Sequence, residues 1–300
     1  MTTGEWQGSM NNNLKEKVCL VTGATSGIGK VTAQELARMG ATVVILCRNR
    51  TKGEAVKSEI EKAYHDAKVD LIVADLESLK DVRRAANEFK SKYSGLNVLI
   101  NNAGGVNNKR RLTTDRLETT FEANYLSHFL FTSLLLDTLK ASAPSRIINV
   151  SSGIHIQGKI IFEDLQTEQR YSWMSSYAQA KLAQIYFTYE LADRLSGTGI
   201  TVNVLHPGLV SSNFNSHTKG IVHVISGLVF AVAGISVEEG AKTSVYLASS
   251  SEVEGVTRKY FYKCMEKESS RLSHDKEVGR RLWKVSEEMI QEKIGVEISH

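Results

Sequence analysis

The chain has 300 residues, of which 42% are hydrophobic, and its formal net charge of +4 comes from Lys and Arg interspersed with Asp and Glu. This apolar content excludes a disordered chain, and an α/β domain often reaches this length as one unit. The mild, dispersed positive charge excludes a nucleic-acid-binding surface, because no basic block occurs.

Short apolar runs alternate with longer amphipathic segments along the chain. The runs predict strands at 18–22, 42–47, 69–74, 97–101, 146–151, 201–205 and 259–262. The amphipathic segments predict helices at 27–39, 51–65, 115–140, 176–195 and 237–248, one ending at 93, and one starting near 275. The strands are almost wholly apolar rather than alternating, which is typical of a parallel sheet buried on both faces. The predicted fold is α/β, a single Rossmann-type doubly wound parallel sheet flanked by helices on both faces.

No linker divides the chain, because only two prolines occur and no Pro/Ser/Gly-rich stretch is present. Residues 14–300 are therefore predicted to form one domain, and the polar residues 1–13 lie outside it. Cys19, Cys47 and Cys264 are odd in number and widely spaced, which indicates free thiols in a reducing compartment. The histidines show no ligand spacing, so no metal site is predicted.

A glycine-rich turn follows the first predicted strand and precedes a helix. Glycines permit positive φ and let backbone N–H groups approach a pyrophosphate, and the helix adds its N-terminal donors. The spacing G-x-x-x-G-x-G differs from the commoner G-x-G-x-x-G, and a purely structural tight turn is the alternative. The predicted cofactor-binding residues of this turn are Gly23, Thr25, Ser26, Gly27, Ile28 and Gly29.

The end of the second strand distinguishes NADP from NAD. NAD sites usually carry an acid there for the ribose hydroxyls. This chain has Arg48 and Arg50, with no acid until Glu54. A guanidinium binds a 2′-phosphate well, so the sequence favours NADP(H), with Arg48 the better candidate because it directly follows the strand. The alternative is that both arginines are ordinary surface charges.

Tyr177 and Lys181 stand four residues apart at the start of a predicted helix, so they share one face. Carbonyl reduction needs a proton donor at oxygen while hydride reaches carbon. An ammonium and an oxidised nicotinamide both favour a phenolate; lowering the tyrosine pKa by roughly three units needs about 4 kcal/mol. The pair predicts a tyrosine general acid/base, although Y-x-x-x-K alone recurs by chance.

Two further polar residues complete the predicted catalytic set. Ser152 ends the fifth strand, where its hydroxyl could hydrogen-bond the substrate oxygen beside Tyr177; strand-end turn chemistry is the alternative. Asn124 lies inside an apolar helix, where asparagine is unfavourable and, if buried, needs partners. Ordering water towards Lys181 would explain it, and an exposed asparagine is the alternative.

These motifs together resemble the short-chain dehydrogenase/reductase family. The resemblance covers nearly the whole chain, through TGATSGIG at 22–29, NNAG at 101–104, YAQAK at 177–181 and HPGLVSS at 206–212. It implies further cofactor contacts at Asp75, Leu76, Asn102, Ala103, Gly104, Pro207, Gly208, Leu209 and Ser212, and gives Lys181 a role in holding the nicotinamide ribose.

The retinol dehydrogenase-like branch looks most similar, through CRN at 47–49, the long interval from Ser152 to Tyr177, and the C-terminal KYFYKC and RLWKVSEE. Such relatives use NADP(H) on lipophilic alcohols and carbonyls. No N-terminal anchor like that of many of them is expected from residues 1–13, which are polar, and the apolar stretch 221–235 is too short to span a bilayer. A cytoplasmic enzyme is expected.

The substrate is expected to be a small hydrophobic molecule held by loops at 153–175 and 209–236, with His155 and Trp173 as candidate contacts. A packing role is the alternative for His155. The helices 177–195 and 237–248 could form a homodimer interface, or could equally be intramolecular core.

The predicted function is therefore NADP(H)-dependent hydride transfer to or from a lipophilic carbonyl or alcohol, such as a retinal or retinol. A catalytically silent cofactor sensor or scaffold of the same fold is the main alternative. A light-dependent reductase shares the architecture, but no residue supports it.

Overall fold

The structure is a computed structural model that describes residues 14–208 and 235–298. The strands are β1 (Val18–Thr22), β2 (Thr42–Cys47), β3 (Lys68–Val73), β4 (Val98–Asn101), β5 (Ser145–Val150), β6 (Ile200–Leu205), β7 (Tyr260–Tyr262) and β8 (Met265–Lys267). The helices are α1 (Gly27–Arg38), α2 (Arg50–Ala63), α3 (Leu79–Lys92), α4 (Thr119–Phe121), α5 (Ser127–Lys140), α6 (Trp173–Arg194), α7 (Val237–Ser249) and α8 (Lys276–Ile294).

These strands form one eight-stranded sheet in the order β3-β2-β1-β4-β5-β6-β7-β8. The first seven strands are parallel, and β8 pairs antiparallel with β7. The predicted doubly wound sheet is thus confirmed, with an added antiparallel edge strand. Sequence patterning missed β8 because its three residues are all exposed and two of them are charged, so they carry no apolar signal.

Both faces of the sheet are buried, as the apolar strands predicted. In β1, Leu20 packs with α3, α5 and α6 on one face, whereas Cys19 and Val21 pack with α1 and α7 on the other. The strand order reverses between β1 and β4, because the chain crosses to opposite sides of β1 in the two halves. A crevice at that point, beyond the carboxyl ends of the strands, is where such folds bind ligands.

The predicted helix at 115–140 is interrupted in the structure. The described helix begins at Thr119, and a π-helical turn over Glu122–Leu126 separates α4 from α5. Such π-turns are rare and frequently occur at functional sites. This turn contains Asn124, so the interruption lies at one of the candidate catalytic residues.

The closing helix α8 packs against α6, the helix that carries Tyr177 and Lys181. Trp283 of α8 is buried with its ring centroid 4.7 Å from that of Phe129 and 5.8 Å from that of Phe187. A face of α6 that was a candidate dimer surface is therefore covered by the same chain. Among the helices of 14–208 and 235–298, none is long and apolar enough to cross a membrane.

Candidate active site

The glycine-rich turn joins β1 to α1 and is packed too tightly for side chains. Gly23 has a φ of 68°, and a Cβ there would lie 2.8 Å from the Ala103 Cα atom. A Cβ at Gly29 would lie 2.6 Å from the Gly23 carbonyl oxygen. The first turn of α1 has no acidic residue, and the Ser26 side chain does not cap it. This backbone therefore suits an anion at the helix N-terminus, which is what a pyrophosphate requires.

The end of β1 is tied to the segment that follows β4. Thr22 Oγ1 accepts hydrogen bonds from the backbone N–H groups of Asn102 and Ala103, both at 2.9 Å. The Asn102 side chain returns a hydrogen bond from Nδ2 to the Thr22 carbonyl oxygen at 2.8 Å. These three bonds fix the predicted adenosine-side segment against the glycine-rich turn.

Arg48 follows β2, and its guanidinium lies among carboxylates. Its Nη1 is 3.2 Å from Glu77 Oε1 and 3.9 Å from Asp75 Oδ2. The Arg48 side chain is 56% exposed, so a phosphate could reach the guanidinium from solvent. The predicted 2′-phosphate contact is therefore placed at the cleft, but with anionic neighbours that the strand-end pattern did not reveal.

Tyr177 and Lys181 both lie buried on α6. Lys181 Nζ is 5.6 Å from the Tyr177 ring centroid and donates hydrogen bonds to the Val150 carbonyl oxygen at 2.8 Å and to Gln184 Oε1 at 2.9 Å. Ser152, two residues beyond Val150, hydrogen-bonds the Tyr177 hydroxyl. The helix spacing and the end of β5 thus bring these three predicted residues together.

The protein alone does not lower the tyrosine pKa as the sequence led us to expect. Burial raises the pKa of Tyr177, although the hydrogen bond with Ser152 acts in the opposite direction. Burial also lowers the pKa of Lys181, to about 7. Desolvation penalises the charged form of each group, and it is the largest influence on both pKa values. The phenol is therefore held protonated, the form that can donate a proton.

Asn124 is fully buried in the π-helical turn, and its amide binds backbone groups. Nδ2 donates to the carbonyl oxygens of Thr120 at 2.8 Å and Gly105 at 2.9 Å, and Oδ1 accepts from the Gly105 N–H at 3.1 Å. A Cβ at Gly104 would lie 2.4 Å from Asn124 Oδ1 and 3.5 Å from Lys181 Nζ. Asn124 therefore pins the segment after β4 beside Lys181, and its role in ordering water stays a prediction.

The two candidate substrate residues occupy different environments. His155 is buried, with Nδ1 2.8 Å from the Ser152 carbonyl oxygen, and Nε2 accepts from the Ser270 N–H at 3.1 Å. Both ring nitrogens are thus occupied by backbone, so Nδ1 carries the proton and the geometry fits the packing alternative. Trp173 is 37% exposed and lines the cleft beside Tyr177.

Sequence reasoning missed two residues that support the catalytic pair. Gln184 is fully buried and accepts from Lys181, and a polar residue three positions after the lysine on a buried face was the available signal. Glu118 is also fully buried; it accepts from the N–H groups at the start of α4 and from the Ser176 hydroxyl at 2.8 Å. It thereby anchors the residue preceding Tyr177.

One cleft of about 870 Å³ collects most of the predicted residues. Leu209 and Ser212 lie outside the described residues, as does the substrate loop up to residue 234. The cleft is lined by Gly23, Thr25, Ser26, Gly27, Ile28, Gly29, Arg48, Asp75, Leu76, Asn102, Ala103, Gly104, Asn124, Ser152, Trp173, Tyr177, Lys181, Pro207 and Gly208. Fold and cleft together define the class of the protein as a Rossmann-type α/β protein with a glycine-rich turn in its cleft.

Comparison with known proteins identifies the family. The family model described as short chain dehydrogenase matches residues 17–220. The chain is 43% identical to retinol dehydrogenase 14 from Homo sapiens, across 91% of this chain and 86% of that protein. A crystal structure of an uncharacterised protein from Mycobacterium paratuberculosis aligns over 96% of this chain and 97% of its own, with a TM-score of 0.76 and 32% identity.

A short chain dehydrogenase from Burkholderia cenocepacia J2315, solved in complex with NADP, is also similar. It covers 83% of this chain and 96% of its own, with a TM-score of 0.66 and 26% identity. The chain belongs to the short-chain dehydrogenase/reductase family, whose members are oxidoreductases that bind nicotinamide cofactors, and it is retinol dehydrogenase-like.

Proposed function

We propose that this chain is an NADP(H)-dependent oxidoreductase that transfers hydride between the nicotinamide and a lipophilic alcohol or carbonyl compound. The observation that carries the proposal is the grouping of Tyr177, Ser152 and Lys181 in the same cleft as the glycine-rich turn. A buried phenol, hydrogen-bonded by a hydroxyl and close to the amino group of Lys181, is suited to acid/base chemistry at a carbonyl oxygen.

The residues of the cleft fit a dinucleotide. The N-terminus of α1 and the side-chain-free surface of Gly23 and Gly29 suit the pyrophosphate, and the Arg48 guanidinium suits a 2′-phosphate. Asn102 and its neighbours suit the adenosine side, and Lys181 the nicotinamide ribose. The similar structure solved with NADP supports the choice of cofactor.

When bound, the cofactor supplies or accepts the hydride at the substrate carbon. In the reductive direction, Tyr177 donates its hydroxyl proton to the carbonyl oxygen, which becomes the alcohol oxygen. Ser152 donates a hydrogen bond to the same oxygen and stabilises the negative charge that develops there. Lys181, held by the Val150 carbonyl and Gln184, places a positive charge near the phenolate that remains. Oxidation of an alcohol reverses each step.

A lipophilic substrate is supported by the lining and by the relatives. Val106, Ile154 and Trp173 line the cleft with Tyr177, which is the mixture of apolar walls and few polar groups that such substrates require. Relatives that match over nine-tenths of the chain carry the name retinol dehydrogenase. We therefore propose a retinoid-like or other hydrophobic aldehyde, ketone or alcohol.

A substrate panel tests the proposal. Hydrophobic aldehydes, ketones and alcohols, retinal included, would be followed by the absorbance of the reduced nicotinamide, with NADP(H) and NAD(H) in parallel. We expect turnover with NADP(H) that is lost in Tyr177→Phe. Cofactor binding without turnover on any member would instead favour the sensor or scaffold.

Replacement of Arg48 by Asp tests the cofactor assignment. A charge-assisted contact with a phosphate contributes about 1.5–3 kcal/mol, so we expect NADP binding to weaken by about tenfold to a hundredfold. NAD binding should change little, because NAD has no 2′-phosphate. Calorimetric titration of both cofactors measures the difference.

Arg50→Asp is the matched control. Arg50 stands two positions later, forms an exposed ion pair with Glu54 and is not part of the cleft lining. It should leave both cofactors within about twofold of their original affinities. Equal losses of NADP and NAD affinity in Arg48→Asp would remove Arg48 from the 2′-phosphate site.

A further inference from the structure

Two arginines from distant parts of the chain contact the same carboxylate, that of Glu77, at the edge of the cleft. Arg48 Nη1 lies 3.2 Å from Glu77 Oε1, and Arg111 Nη2 lies 3.8 Å from Glu77 Oε2. All three side chains line the same cavity as the glycine-rich turn. Arg111 belongs to the segment between β4 and α4, so only the folded chain brings it to Arg48.

Glu77 is the least exposed member of the group. Its side chain is 25% exposed, against 56% for each arginine. Its backbone is also held, because the Glu77 N–H donates to Asp75 Oδ1 at 3.0 Å and Thr114 Oγ1 donates to the Glu77 carbonyl oxygen at 3.4 Å. The carboxylate therefore occupies a defined place between two guanidinium groups that face solvent.

The charges of this cluster balance. Arg48 and Arg111 contribute two positive charges, and Glu77 and Asp75, whose Oδ2 is 3.9 Å from Arg48, contribute two negative ones. A phosphate that binds the two guanidinium groups must compete with Glu77 for them and then remain beside its negative charge. Both effects weaken the binding of a 2′-phosphate. Neither weakens the binding of a ligand that has a ribose hydroxyl in place of that phosphate.

We propose that Arg111 is a second phosphate-binding guanidinium of the cofactor cleft and that Glu77, its counter-ion and that of Arg48, limits the affinity for a 2′-phosphate. Glu77 thus sets how strongly the chain prefers NADP over NAD. The inference rests on the proposed NADP(H)-dependent function, and it concerns residues that neither the glycine-rich turn nor the end of β2 includes.

The test uses two adenosine nucleotides that differ in one phosphate, 2′,5′-ADP and 5′-AMP. Each is titrated calorimetrically into the 300-residue chain, so the readout does not depend on turnover. We expect Glu77→Gln to tighten 2′,5′-ADP binding by about fivefold to tenfold, because a negative charge beside the phosphate is removed. Arg111→Gln should weaken 2′,5′-ADP binding by about tenfold. In both variants 5′-AMP binding should stay within about twofold of its original value.

Lys109→Gln controls for net charge, because Lys109 is exposed, stands two positions from Arg111 and is not part of the cleft lining. Lys109→Gln should leave the affinities for both nucleotides unchanged. Circular dichroism should show that all variants are folded. Unchanged or weaker 2′,5′-ADP binding in Glu77→Gln would overturn the counter-ion role. Equal effects of Arg111→Gln on both nucleotides would overturn the second contact.

The failure of this inference is distinguishable from failure of the proposed function. Suppose that the original chain prefers 2′,5′-ADP and that Arg48→Asp abolishes this preference. If the Glu77 and Arg111 variants then bind both nucleotides as the original chain does, only the inference fails. If the original chain binds both nucleotides equally and Arg48→Asp has no effect, the proposed NADP preference fails as well.

Discussion

Tyr177→Phe is expected to lower turnover by about a hundredfold to ten-thousandfold, the range that a positioned proton donor contributes. The change removes one hydroxyl and keeps the ring that packs in the cleft wall. Burial holds the phenol protonated, and Ser152 orients it by a hydrogen bond. Without the hydroxyl, the oxygen of a reduced substrate has to take its proton from a source that is not positioned. Steady-state rates with the best substrate of the panel measure the loss.

Cofactor binding separates a chemical defect from a folding defect. Tyr177→Phe should bind NADP(H) within about twofold of the original chain, because Lys181 and the glycine-rich turn are unchanged. Tyr189→Phe is the matched control: it makes the same change on the same helix, where the Tyr189 hydroxyl lies 2.8 Å from Ser269 Oγ. Near-normal turnover in Tyr177→Phe, or an equal loss in Tyr189→Phe, would remove Tyr177 from the acid/base role.

Trp283→Ala is expected to lower the free energy of unfolding by about 3–5 kcal/mol, the usual cost of truncating a buried tryptophan. The indole of Trp283 packs against Phe129 and Phe187, and the Arg194 guanidinium carbon lies 4.2 Å from its ring centroid. Its Nε1 donates to Glu287 Oε1 at 2.7 Å. Truncation leaves a cavity between α6 and α8 that these rings cannot fill by small shifts.

Urea unfolding followed by far-ultraviolet circular dichroism measures this loss without relying on tryptophan emission. Trp173→Ala is the control, since Trp173 is 37% exposed at the start of α6 and should cost about 1 kcal/mol or less. Trp283→Phe should lose an amount of unfolding free energy between those of Trp283→Ala and Trp173→Ala, because it keeps an aromatic ring in the site. Similar losses in Trp283→Ala and Trp173→Ala would show that α8 contributes little to the stability of the domain.

Local patterns in the sequence determined much of the fold. The apolar runs predicted seven of the described strands because a parallel sheet buries both faces of each strand. The glycine spacing predicted the turn after β1, since only glycine fits where a Cβ would meet Ala103 or the Gly23 carbonyl. The four-residue spacing of Tyr177 and Lys181 predicted their shared helix face. Each of these features depends on neighbours in the chain, which is why sequence alone reveals it.

Contacts between distant segments were decided only by the tertiary structure. The hydrogen bond between Ser152 and Tyr177 forms because the end of β5 faces α6. Arg48 and Arg111 both contact Glu77 because the loops after β2, β3 and β4 lie together at the carboxyl ends of the strands. The raised pKa of Tyr177 was also decided by the tertiary structure, because it is caused by burial and burial is a property of the packed chain. Side-chain identity sets which charges and hydrogen bonds are possible, whereas packing decides which of them meet and how far water is excluded.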